Sequence, residues 1–156
     1  MKSYTLKYSQ RIPISLDEAW DFFSSPLNLA KITPAQMKFV ITSDYTEGTK
    51  MYEGMLITYK VSPLLGIPLD WMTEITHVRD KEYFIDEQRF GPYALWHHEH
   101  HFQVIENGVL MNDRLTYALP FGAIGRLTDK VLVGNQVKKI FDHREKAIVA
   151  LFGEYK

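Results

Sequence analysis

Apolar and polar residues alternate from Tyr4 to Ile12, with Tyr4, Leu6, Tyr8 and Ile12 on one side and Thr5, Lys7, Ser9 and Arg11 on the other. A period of two is the mark of a strand with one buried face, and Pro13 closes it. Ser15-Leu16-Asp17-Glu18 has the spacing of a capping box, with the serine hydroxyl facing the Glu18 amide and Glu18 reaching back. The short helix that follows would bury Ala19, Trp20 and Phe23. Ser24-Ser25-Pro26 breaks it, and Leu27 to Ile32 allows a second helical stretch before Thr33-Pro34.

Strand patterns fill the middle of the chain. Met37, Phe39 and Ile41 alternate with polar or exposed positions, and Glu47-Gly48-Thr49 marks a turn. Met51 to Val61, Leu69 to Val78, Glu82 to Phe90, Tyr93 to Val104 and Val109 to Leu119 complete a set of antiparallel strands. After Pro120-Phe121-Gly122 the period lengthens to about 3.6. Ile124, Leu127, Val131, Gly134, Val137, Phe141, Ile148 and Leu151 then share one stripe of a long helix reaching Phe152. A flat sheet could not cover such a helix, so the sheet is expected to curl around it.

Asn107-Gly108 has the residues of a type I′ hairpin turn. Pairing Glu106 with Val109 sets Val104 opposite Met111, Phe102 opposite Asp113, His100 opposite Leu115, His98 opposite Tyr117, and Trp96 opposite Leu119. That face is strongly apolar except for His98, His100 and Asp113, with Asp113 diagonal to His100 at about 7–8 Å. The other face carries His97, Glu99, His101, Gln103, Asn112 and Arg114 and reads as solvent-facing. Asp86 and Gln88, alternating with Phe84 and Phe90, extend the polar patch from the neighbouring strand.

Two readings of these inward polar groups are compatible. One is a satisfied core network, with Asp113 accepting from His100, because a buried polar group without a partner costs about 1–3 kcal/mol. The other is a cavity in which they orient the polar end of a ligand. The apolar lining would come from Trp20, Phe23, Trp71, Trp96, Phe102, Tyr117 and the helix stripe. As a catalytic set, His100 could act as general base, with Asp113 fixing its tautomer and Tyr117 donating to an oxyanion. A zinc site on His98-x-His100 with Asp113 fits the alternation. The four histidines of Trp96–Phe102 nonetheless divide between two faces, so no metal is assigned. His77 and His143 sit in no visible constellation.

Composition narrows the partners. The chain has 156 residues, 46% hydrophobic and 13% aromatic, which suits a single packed domain over 1–156. Eighteen basic and nineteen acidic residues leave a net charge of −1, so nucleic acid has no general electrostatic reason to bind. The absence of cysteine excludes disulfides and thiolate chemistry. The first residues lack a secretory signal, no apolar run approaches the roughly 20 residues of a membrane span, and a cytoplasmic location is expected. The loop Pro63-Leu64-Leu65-Gly66-Ile67-Pro68 is apolar and could gate an entrance or touch a membrane surface.

Three stretches carry a resemblance to a known family. Phe84-x-Asp86-x-Gln88-x-x-Gly91-Pro92-Tyr93, then Trp96-x-His98-x-His100-x-Phe102, then Asp113-x-Leu115-x-Tyr117-x-Leu119-Pro120-x-Gly122 resemble the ligand-binding SRPBCC family of the START and birch-pollen-allergen-like superfamily. Ile140-Phe141-Asp142-His143-Arg144 is similar to its C-terminal signature, and Trp71 to its fourth strand. The resemblance implies an α+β helix-grip fold: a seven-stranded curved antiparallel sheet around the long C-terminal helix, with two short helices after strand 1. It also implies a cavity between sheet and helix, with Asp86, Gln88, His98, His100 and Asp113 at recurrent polar positions. The first expectation for function is a carrier of a lipid-like, isoprenoid or aromatic molecule, without a cofactor. The alternatives are a polyketide-cyclase-like, dehydratase or isomerase enzyme using His100 and Asp113, and a module docking a protein partner.

Overall fold

Strand β1, Tyr4–Ile12, pairs antiparallel with the last strand of the chain, β7, Gly108–Ala118. The computed structural model describes residues 2–62, 66–120 and 133–156. Ile124, Leu127 and Val131 of the helix stripe, and Pro63 to Leu65 of the apolar loop, lie outside them. After β1 comes α1, Leu16–Phe23, then two 3-10 segments, Pro26–Ile32 and Ala35–Met37. The strands β2, Val40–Ile41, β3, Met55–Val61, β4, Leu69–Arg79, β5, Tyr83–Phe90, and β6, Leu95–Ile105, follow, and α2, Gly134–Phe152, comes after β7. The sheet is seven-stranded and antiparallel, in the order β1-β7-β6-β5-β4-β3-β2.

Local chemistry accounts for the start of the fold. The Ser15 hydroxyl accepts from the Glu18 amide at 3.2 Å, and the Glu18 carboxylate accepts from the Ser15 amide at 2.9 Å. This capping box is worth about 1 kcal/mol. Ala19, Trp20 and Phe23 are the buried residues of α1, as the spacing predicts. Trp20 meets Phe84 and Phe102 edge-on, which docks the helix on the sheet. At the far end, Gly153 ends α2 at φ 91°, a conformation that costs other residues a Cβ clash, and its amide donates to the Val149 carbonyl.

Several elements differ from their sequence expectation. Met37 lies in a 3-10 turn, and β2 shrinks to two residues. β3 begins at Met55, because the chain turns at Glu53-Gly54. Val104 and Leu151, expected inside, are 63% and 47% exposed, each near the end of its element. β4 carries two register shifts against β5, between Met72 and Thr73 and between Ile75 and His77. Such bulges bend a strand and strengthen its twist, which suits a sheet that wraps a helix.

The β6–β7 hairpin turns at Glu106-Asn107, one residue earlier than expected, with Ile105 opposite Gly108. Asn107 alone of the pair has positive φ, 58°, so the turn is not type I′. Gly108 has another duty: a Cβ there would stand 2.3 Å from the Ile12 carbonyl oxygen of β1. Gly108→Ala should therefore cost about 1–3 kcal/mol by forcing the two strands apart. Urea denaturation measures this, and a loss below about 0.5 kcal/mol would mean that the strands approach less closely than described.

Candidate functional site

Three neighbouring strands place four polar side chains together. His98 and His100 are two apart on β6, so both point inward. Asp86 of β5 pairs with His98, and Asp113 of β7 pairs with His100. Each acid therefore stands opposite one histidine and diagonal to the other. The two imidazole centroids are 3.8 Å apart. Asp86 Oδ2 lies 2.7 Å from His100 Nε2 and 3.4 Å from His98 Nδ1. Asp113 Oδ1 lies 3.1 Å from His98 Nε2 and 2.8 Å from His100 Nδ1. The last contact is close but poorly aligned, and His100 Nδ1 makes no hydrogen bond.

A fifth group comes from α2. Arg144 reaches to 3.7 Å from Asp113 Oδ1, its guanidinium lies over the Phe23 ring, and its buried Nε has no hydrogen-bond partner. Burial alone would raise the pKa of Asp113, but the charge of Arg144, the hydrogen bond from His98 and the close His100 ring outweigh it and hold the carboxyl well below its usual range. Asp86 is likewise held down against burial by its hydrogen bonds to His100 and His98. Burial disfavours the charged form of His98, yet the hydrogen bonds to Asp113 and Asp86 outweigh it and push its pKa up.

Asp86, His98, His100 and Arg144 border a cavity of about 150 Å3 between the sheet, α2 and the first 3-10 segment. Its walls are otherwise mainly apolar, with Phe23, Ile57, Ile75, Phe84, Val137 and Phe141 among them. Tyr59 and Thr73 add a second polar point, their hydroxyls 3.0 Å apart, and the Trp71 indole donates to Thr73 at 3.1 Å. Burial pushes the Tyr59 phenol up despite its bond to Thr73, so it stays protonated.

Of the residues singled out from sequence, Phe23, Asp86, Trp96, His98 and His100 line this cavity, with Val137 and Phe141 of the helix stripe, whereas Trp20 does not. Trp71, Phe102 and Tyr117 are buried behind its wall, and Asp113 sits behind the two histidines. Asp113 and His100 are direct neighbours across the ladder, where the expected register made them diagonal. Gln88 braces the turn before β6, donating to the Tyr93 carbonyl and accepting from its amide. Arg144 lies outside the site residues expected from the sequence. Its signal was a charge at a stripe position, seven residues after Val137 and three after Phe141.

No protein-family model and no curated protein matches the chain. Solved structures do. Protein CV1439 from Chromobacterium violaceum superposes with a TM-score of 0.70 at 13% identity, over 97% of this chain and 98% of that one. Ginseng major latex-like protein 151 from Panax ginseng gives 0.65 at 13% identity, over 96% and 97%. Ara h 8.0201 gives 0.57 at 12% identity, over 96% and 99%. The chain has the helix-grip fold. In this helix-grip sheet the site occupies three adjacent interior strands, β7, β6 and β5, and the long helix supplies Arg144.

Among the described residues, no helix is long and apolar enough to cross a membrane.

Proposed function

We propose that this protein binds one small, mainly apolar molecule in the cavity between sheet and α2. The observation that carries the reading is a cavity of about 150 Å3 with mainly apolar walls and polar groups at two points, the His98–His100–Asp86 cluster and the Tyr59–Thr73 pair. A concave apolar space with a few placed polar groups is the usual form of a small-molecule site, and the helix-grip fold typically holds hydrophobic ligands. An apolar cavity of this volume accommodates a molecule the size of benzene, so the ligand has on the order of five to ten non-hydrogen atoms. A ring or short chain with one polar end fits, its polar end at Arg144 Nε and the two imidazoles and its body against Phe23, Ile57, Ile75 and Val137.

Native mass spectrometry of the purified protein, followed by organic extraction, tests this reading. One apolar adduct per chain is expected, or else one molecule of a hydrophobic fluorescent dye per chain, displaced by small aromatic or terpenoid compounds. A bare chain that also binds no dye would sink it.

A further inference from the structure

We propose that Asp86, His98 and His100 form a binding site for one divalent first-row transition-metal cation. The three side chains each offer a ligand atom, all within 4.8 Å of one another. Two imidazole nitrogens and a carboxylate oxygen are the donors that Zn2+ and Fe2+ take in open, three-ligand sites. His98 Nδ1 and His100 Nε2 are the nitrogens that converge on Asp86 Oδ2, at 3.4 and 2.7 Å. Ligand atoms around one such cation stand about 3–3.5 Å apart, so the carboxylate and the two rings draw in by up to about 1.5 Å to seat it.

The second and independent observation lies on the other side of the rings. Metal-binding histidines hold their remaining N–H on a carboxylate, which sets the tautomer and the ring orientation. Here one carboxylate oxygen, Asp113 Oδ1, lies 3.1 Å from His98 Nε2 and 2.8 Å from His100 Nδ1. With Nε2 on a cation, His100 keeps its proton on Nδ1, the buried nitrogen that has no hydrogen bond of its own. Arg144 balances the charge of Asp113 and leaves Asp86 to the cation. The three ligands all border the cavity, so the cation's open positions face the space where a small molecule would sit.

This site does not depend on the apolar-ligand reading, and its test is separate. The protein is stripped with a chelator and titrated with Co2+ alone, followed by visible absorption, and then with Zn2+. One Co2+ per chain is expected, with the d–d bands of a four- or five-coordinate site, displaced by Zn2+. Asp86→Asn should weaken binding at least 100-fold, and Asp113→Asn, behind the rings, about 10–100-fold. Replacing His97 and His101, on the opposite face of β6, by Gln should change nothing. A location readout needs no variant: Mn2+ should broaden the methyl signals of Ile57, Ile75 and Val137 at lower Mn2+ than those of Val40 on the far edge strand. Absence of stoichiometric Co2+ binding by the unaltered protein overturns the proposal. So does a site that follows His97 and His101 instead, or Mn2+ broadening that spares the cavity.

Discussion

Asp113→Ala is expected to destabilise the protein by about 3–5 kcal/mol, because it removes the partner of a buried cation. Asp113 is 4% exposed and has Arg144, His98 and His100 around it. Without it, Arg144 is left buried beside Phe23, and both histidines lose the acceptor behind them. In thermal unfolding the loss reads as a drop in Tm on the order of 10 °C. Adding Arg144→Met should cost less than the sum of the two single changes, since no charge is then left alone. Full additivity would show that Arg144 and Asp113 are not coupled.

The same variant should change the dependence of stability on pH. The groups that face one another are Asp86 from β5, His98 and His100 from β6, Asp113 from β7 and Arg144 from α2. Asp86 and Asp113 have folded pKa values below their unfolded ones. Their contribution is present above about pH 4 and is lost as pH falls through the folded values. His98 is raised, so its contribution is complete below about pH 6.5 and is lost as pH rises through the folded value. Stability of the unaltered protein should therefore be highest between about pH 4 and 6.5, as far as this cluster decides it. Asp113→Ala should flatten the acid limb, by removing one depressed carboxyl, and shift the loss on the alkaline side to lower pH. An unchanged profile would place the acid sensitivity elsewhere in the molecule.

Phe141→Ala should cost about 3–5 kcal/mol for a different reason, the cavity it leaves. The Phe141 ring stacks on Tyr8 of β1 at 4.2 Å and 2°, meets His98 edge-on at 5.5 Å and forms part of the cavity wall. It is a main clasp of α2 to the sheet and at the same time a limit on ligand size. A small aromatic such as benzene, supplied at about 100 times its Kd, should return about 2.7 kcal/mol to the variant. Denaturant titration with and without the aromatic measures both effects. A loss under about 1 kcal/mol with no rescue would mean that the helix does not close the cavity through this ring.

Much of the fold was readable because its signals are local. The capping box at Ser15 and Glu18, the buried trio Ala19, Trp20 and Phe23, and the alternation of β1 each depend on residues close in the chain. The inward set His98, His100 and Asp113 survived an error in the hairpin register because the error was two residues. A shift by the period of a strand changes every cross-strand partner and leaves every face where it was. Residues at the ends of elements fared worse. Val104 and Leu151 follow the pattern but lie where there is no longer anything to pack against.

Alternation along the chain was enough to sort the residues of β1 and β6 between the two faces of the sheet, since backbone periodicity assigns faces without knowledge of neighbours. The tertiary structure alone decided who meets whom. Gly108 resembles a turn glycine, yet β1, about a hundred residues away in the chain, is what demands it. The Gly91-Pro92 link left the β5–β6 register open, so only the folded sheet brings Asp86 to both histidines. Arg144 was readable as a charge on an apolar stripe. Its partnership with Asp113 exists only because the curled sheet presents β7 to that turn of the helix. Such contacts join parts of the chain whose closeness is a result of folding as a whole, and no window of local pattern contains them.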